Sequence, residues 1–163
     1  QDIPVASMCA IEYYEDSLLP LARLYNLERE LDQALQEKIW LKSGGFLIIQ
    51  QTEAFVAIDV NTGKHSSKKD AEENYKQINR EAALEIARQL RLRNLSGMIL
   101  VDFINMKNTN DQSELLQYMG SLVRSDPMQT VVVDVTALGI MEITRKKSAK
   151  TLAEQLLQLK KGE

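Results

Sequence analysis

The stretch KIWLKSGGFLIIQQTEAFVAIDV, residues 38–60, decides the fold. It holds three short runs rich in Ile, Val, Phe and Trp, at 38–42, 46–50 and 55–60, separated by Ser43-Gly44-Gly45 and by Gln51-Thr52-Glu53. A Gly pair accepts the positive φ of a tight turn, so the spacing predicts an antiparallel hairpin extended to a three-strand meander. Asn61-Thr62-Gly63 then breaks the third strand, and 64–69 reads as a polar loop.

On the N-terminal side, Leu21, Leu24, Leu27, Leu31, Ala34 and Leu35 recur at helical spacing and predict one amphipathic helix over 18–35. On the C-terminal side, Asp70 and Glu73 read as a capping-box variant that opens a helix with Ala83, Ile86, Ala87 and Leu90 on one stripe and Gly97 as its terminator. Residues 98–103 are an apolar strand interrupted by Asp102. Asp111 or Ser113 is expected to cap a helix to about Val123, 131–135 reads as a buried strand, and 140–144 as a further short one. An amphipathic helix at 148–159 closes the chain. Helices alternating with strands after a meander imply an α/β domain with a mixed β-sheet flanked by helices. The expected division is an N-terminal helical segment at 1–37, a core at 38–147 and a C-terminal helix at 148–163.

Composition sets the outer limits. In 163 residues, 44% apolar and 26% charged side chains are a globular mixture that can bury a core, which excludes general disorder. No apolar run approaches the roughly 20 residues of a membrane span, and Gln1-Asp2-Ile3-Pro4 has none of the features of a signal peptide, so the chain reads as a soluble, cytoplasmic piece of a longer protein. A lone cysteine, Cys9, excludes an intrachain disulfide and any Cys-x-x-Cys zinc site supplied by this chain, and reads as a small buried hydrophobe. No phosphate-cradling P-loop or G-x-G-x-x-G motif is present. His65, the single histidine, falls in the polar loop. A net charge of -3 does not announce a nucleic-acid binder, so local clustering must carry any such reading.

Asp59 lies one position from the end of its apolar run and Asn61 two residues on, on the same face of an extended strand. Asp102 sits in the same way near the end of 98–103. If the two strands are neighbours, two carboxylates and an amide meet at the carboxyl edge of the sheet, where open α/β sheets bind ligands. Oxygen donors alone suit a hard cation, Mg²⁺ or Mn²⁺, rather than zinc; the competing reading is that each Asp is a strand-end turn former. Two basic clusters stand out. Arg88, Arg91 and Arg93 lie at a helix C-terminus, where positive charge is stabilising, and read as structural. Arg145, Lys146, Lys147 and Lys150 precede a helix start, where it is not, and Arg145, Lys146 and Lys147 are the expected phosphate contacts.

The words Trp40-Leu41-Lys42-Ser43-Gly44-Gly45-Phe46, Gln51-Thr52-Glu53-Ala54, Ile58-Asp59-Val60-Asn61-Thr62-Gly63, Asn79 through Ala82-Ala83 to Ile86-Ala87-Arg88-Gln89-Leu90-Arg91-Leu92-Arg93-Asn94-Leu95, Val101-Asp102-Phe103-Ile104 and Leu138-Gly139-Ile140-Met141-Glu142-Ile143-Thr144-Arg145-Lys146-Lys147 occur in order. Together they resemble the catalytic core of the ribonuclease E/G family over about residues 38 to 147. The resemblance implies Mg²⁺-dependent endonucleolytic cleavage of single-stranded RNA to 5′-phosphate and 3′-hydroxyl products. It places the metal-binding acids on Asp59 and Asp102 and the catalytic amide on Asn61. It implies a homo-oligomer in the full-length protein and a deoxyribonuclease I-like fold, while the strand order read from the residues also suits a ribonuclease H-like one. Two departures stand out: Asn105 occupies a position where many relatives carry a second acid, and 107–112 replaces a more acidic, His-containing stretch. The OB-type, 5′-end-sensing and Cys-x-x-Cys segments of the family have no counterpart here. The contrasting reading is a module that binds RNA or a protein partner on the same fold without cutting.

Overall fold

A computed structural model describes residues 12–63 and 71–161. The readings placed on Cys9, on His65 within 64–69 and on Asp70 lie outside the described residues. The chain divides into two compact units, Gln1–Gln33 and Ala34–Glu163. The first carries α1 (Leu21–Leu24) and α2 (Leu27–Ala34), the latter ending at the boundary. The single helix predicted over 18–35 is therefore two. Asn26 takes φ 49 between them, a left-handed conformation that Asn tolerates better than most side chains. Its carbonyl accepts from the Glu30 amide at 3.1 Å and so starts α2.

The second unit contains the meander as the sequence predicts it: β1 (Lys38–Trp40), β2 (Phe46–Gln51) and β3 (Phe55–Asn61), each antiparallel to the next. Helix α3 (Ala71–Leu92) leads to β4 (Gly97–Asp102), which lies parallel to β3. Then follow α4 (Thr109–Val123), β5 (Thr130–Val135), β6 (Ile140–Arg145) and α5 (Leu152–Lys161). The sheet order is β1-β2-β3-β4-β6-β5, so the fold is a mixed six-stranded sheet with helices. No described helix is long and apolar enough to cross a membrane.

Alternation along the strands sorts the sheet into two faces. Leu47, Ile49, Val56, Ile58, Val60, Ile99, Val101, Met141 and Ile143 are buried together with Ile78, Ala82, Ala83, Ile86 and Leu90 of α3. Lys38, Trp40, Phe46, Ile48, Asp59, Asn61 and Asp102 share the opposite face, exposed or half-buried.

Four local expectations are corrected. Helix α3 is terminated by Asn94 and not by Gly97: the Asn94 amide donates to Arg91 O at 3.2 Å, the Leu95 amide to Leu90 O at 3.0 Å, and Asn94 takes φ 49. Helix α4 is capped by Asn108, whose side chain accepts from the Asn110 amide, because Asp111 is held 2.7 Å from Lys76 of α3. Strand β5 is an edge strand, not a buried one, with Val131 and Val133 about half exposed; a run of Val specifies extended backbone but not a place in the sheet. The last helix starts later than 148, where Thr151 and Glu154 form a reciprocal capping box.

Arg145 is the largest correction. It ends β6 on the buried side, 4% exposed, with Nε 2.8 Å from Asp126 Oδ2 and Nη1 donating to Asn94 Oδ1 and Leu95 O. Met128 N and Thr130 Oγ1 complete the shell around Asp126. A guanidinium so enclosed ties the β6 end to the α3 terminus and is not available to a phosphate. Removing it strands a buried carboxylate, so Arg145→Met should cost about 3 kcal/mol in urea unfolding. RNA affinity measured on the folded fraction should not change.

Two carboxyls make the fold sensitive to acid. Burial opposes ionisation of Asp126, yet the hydrogen bonds from Arg145, Met128 and Thr130 win and hold its pKa below the ordinary 3.8. Glu81 behaves alike: burial is outweighed by hydrogen bonds from Ser43 and Lys42, and its pKa lies below the ordinary 4.5. Depressed folded values mean that these groups contribute fully above the unfolded values and lose that contribution as pH falls through the folded ones. Stability by urea titration should therefore stay level in these two groups from pH 7 to about 5 and decline below about 4.5, and the decline should be shallower in Glu81→Gln.

Candidate active site

Asp59 and Asp102 are register partners on the parallel pair β3–β4, directly opposite each other near the carboxyl ends of both strands. Adjacent strands are roughly 4.8 Å apart, so the two carboxylates project side by side from one face. Asn61, two residues beyond Asp59 on that face, donates from Nδ2 to Asp59 Oδ2 at 2.7 Å. The structure thus brings together the three residues that spacing singled out. Beside them a cleft of about 320 Å³ opens between the loop after β4 and the β5–β6 turn, lined by Asp102, Ile104, Asn105, Gln112, Thr136 and Leu138 among others.

The backbone around the triplet is held by close packing of glycines. A Cβ on Gly45 would lie 2.8 Å from Asn61 O and 2.9 Å from Ile78 Cγ2. A Cβ on Gly63 (φ +70) would overlap the Gly44 carbonyl oxygen. The Ser43-Gly44-Gly45 turn and the Asn61-Thr62-Gly63 exit therefore require one another, which gives both glycine words a physical reason. Glu81 of α3 fixes the other side of the turn, accepting from the Lys42 amide at 2.7 Å and the Ser43 amide at 3.0 Å.

The resemblance includes Asn79, but sequence reasoning gave it no role. Fully buried on α3, it donates from Nδ2 to Ile104 O at 2.7 Å and accepts at Oδ1 from Ile104 N at 3.0 Å. This two-point clamp sets the course of the chain two residues after Asp102. The available signal was a polar side chain one position after Ile78 and three before Ala82, on the apolar stripe of its helix.

The basic residues fall elsewhere. Asp102 pairs with Ile140 and Gly97 with Arg145, so the start of the Arg145-Lys146-Lys147 segment lies five residues along the strands from the acids, roughly 16 Å at 3.3 Å per residue. Lys146 and Lys147 are exposed, but at the opposite end of the sheet from the carboxylates. Arg93 is buried, donating to Gln89 Oε1 and Gln36 O, in keeping with a structural role, and Arg88 pairs with Glu85.

Among the described residues no group of three or more His, Cys, Asp and Glu side chains could hold a metal ion. The donor set on the face is two carboxylates and one amide. Asn79→Ala would leave the Ile104 amide and carbonyl unpaired at the β4 exit. It should cost about 2 to 3 kcal/mol in urea unfolding and speed amide exchange at Ile104.

The sequence pattern of the ribonuclease E/G family matches residues 3–148. The chain is 40% identical to ribonuclease G of Escherichia coli strain K12 over 137 residues, which are 84% of this chain and 28% of that protein. It is 38% identical to ribonuclease E of a Nostoc species over 144 residues, 88% of this chain and 21% of that protein. Ribonuclease G of Haemophilus influenzae is similar at 40% identity, with 84% and 28% covered. The chain therefore spans about a quarter of the length of these relatives. With a match over most of its length, the chain belongs to the ribonuclease E/G family.

Proposed function

We propose that this chain is the catalytic segment of a Mg²⁺-dependent endoribonuclease that cleaves single-stranded RNA to 5′-phosphate and 3′-hydroxyl products. The observation that carries this reading is the in-register pair Asp59 and Asp102, with Asn61 bonded to the first. Mg²⁺ is typically held by one or two carboxylates and keeps several waters, leaving positions for substrate phosphate, and the oxygen donors here fit that habit. Mn²⁺ fits the same donors. When bound, such an ion offsets charge on the attacked phosphate and acidifies a water.

The chain's own part is positional. Asp59 and Asp102 supply two negative charges on an exposed face, and Asn61 restrains Asp59 so that its carboxylate does not swing away. The clamp of Asn79 on Ile104 keeps the strand carrying Asp102 in line with the other. Cleavage to a 3′-hydroxyl and a 5′-phosphate breaks the bond from phosphorus to O3′, so water must arrive opposite that oxygen, and the acids fix where it is delivered. Membership of the family supports the deoxyribonuclease I-like description of the sheet, a cytoplasmic setting and a homo-oligomeric whole protein as parts of the same proposal.

A non-catalytic module that grips RNA or a protein partner is the second reading, favoured by Asn105 in the cleft beside Asp102, where an acid would have strengthened cation binding. Asp102→Asn separates the two. It preserves volume and removes one charge, so metal-dependent cleavage of a single-stranded RNA should fall ~10²-fold or more while the fold persists. Thermal melts in chelator and then in excess Mg²⁺ should show the parent gaining stability and the variant gaining less. Equal gains together with full cleavage would reduce Asp102 to a strand-end residue. Cleavage by Asp59→Asn at the parental rate would mark a contaminating nuclease.

A further inference from the structure

Trp40, the only tryptophan, stands on the same sheet face as the acids and is 64% exposed. Its ring lies 5.3 Å from that of Phe46 at an interplanar angle of 59°. The Lys38 ammonium sits 4.1 Å from the Trp40 ring centre and 3.8 Å from that of Phe46. An indole packed against a neighbouring ring and a cation has already lost much of its freedom, so a ligand stacking on it need not pay that entropy again. A contiguous exposed apolar patch marks an interaction surface where a single scattered side chain does not, and Trp40 and Phe46 adjoin.

Register connects this cluster to the acids. Trp40 pairs with Phe46 and Phe46 with Asn61, while Lys38 pairs with Ile48, Ile48 with Asp59 and Asp59 with Asp102. Two strand spacings, roughly 10 Å, separate Trp40 from Asn61. Single-stranded nucleic acid bridges that distance in about three nucleotides at ~3.4 Å of stacked rise each. The cation of the cluster faces the same way as the rings, which suits a phosphate beside a stacked base. The basic cluster at Lys146 and Lys147 lies at the far end of the sheet and offers no such continuity.

We propose that Trp40, supported by Phe46 and Lys38, is a base-stacking platform for single-stranded RNA, seating a nucleobase a few nucleotides from the phosphate held at Asp59 and Asp102. This rests on the ribonuclease reading of the acid pair. Stacking on an indole accepts any base, so the platform confers grip and register along the strand rather than sequence choice.

The lone tryptophan makes the test direct. With chelator present to prevent cleavage, a single-stranded oligouridylate should quench Trp40 emission, whereas an oligomer of the same charge built of abasic ribose phosphate should not. In anisotropy titrations of a labelled oligouridylate, Trp40→Ala should bind about tenfold more weakly, the scale of one base stacked on one ring, and Trp40→Phe should retain most of the affinity. Circular dichroism should show both variants folded, since the side chain is exposed. Binding or Mg²⁺-dependent cleavage of RNA with unchanged Trp40 emission and unchanged affinity in Trp40→Ala would overturn the platform and leave the ribonuclease reading standing. Equal quenching by the abasic oligomer would also overturn it, since Trp40 would then sense backbone alone. Neither binding nor cleavage of RNA by the parent chain would overturn the ribonuclease reading, and the platform with it.

Discussion

The parallel pairing of β3 with β4 is the constraint on which the rest depends, because it alone sets Asp59 against Asp102. Parallel neighbours cannot be joined by a tight turn and need a crossover, here α3. That helix also distributes the polar anchors of the site. Lys76 reaches Asp111 and Glu114 of α4 at 2.7 and 2.9 Å, Asn79 clamps the exit of β4, and Glu81 holds the β1–β2 turn. Its alanines, Ala82, Ala83 and Ala87, are buried in the same core as the strands. A slip of one residue in the β3–β4 register would send one carboxylate into the apolar layer beside Val60 or Val101, which is why the site and the core specify each other.

The meander and the two acids were legible in the sequence because each rests on a local signal. Ser43-Gly44-Gly45 between two β-rich runs admits little but a turn, and Ile58-Asp59-Val60-Asn61 alternates in a way that exposes its polar members together. Arg145 was misread for a reason that strand periodicity would have revealed. Met141, Ile143 and Arg145 occupy alternate positions, so the guanidinium had to point into the apolar side and find a partner there. That partner, Asp126, is 19 residues away, beyond any local pattern. Side chains adjacent along a strand point to opposite faces, so a run of basic residues there does not make one basic patch.

The break in the N-terminal helix and the place of β5 failed differently. Leucines at helical spacing say nothing about Asn26, whose left-handed backbone divides the pattern without disturbing its period. Valines at 131–133 predict a strand equally well at the centre or at the edge, and only the sheet order decides. The clamping role of Asn79 escaped because a polar residue on an apolar stripe looks like noise until its two backbone partners at Ile104 are known.

Where the cations reside bears on how the proposed function would work. Arg145 is committed to Asp126, Arg93 to Gln89 and Gln36, Arg88 to Glu85, and Lys76 to two acids of α4. On the face that holds Asp59 and Asp102, the row running through Ile48 contributes one cation, Lys38. Two exposed carboxylates on a chain of net charge -3 repel a phosphate, so without a counterion the acid pair opposes the phosphate beside it and leaves the RNA to its stacking contacts. A bound divalent ion would cancel the two negative charges, and a phosphate would in turn supply ligands that the carboxylates alone do not. Ion and RNA would then raise each other's affinity by the same factor, since the coupling between them is a single free energy. On the proposed function, a surface arranged this way would gain its affinity from the ion and from uncharged contacts such as stacking, both short in range, rather than from a broad positive field. Slow, local capture would favour a flexible single strand that can lay one phosphate and one base into place together, over a duplex whose bases are already stacked.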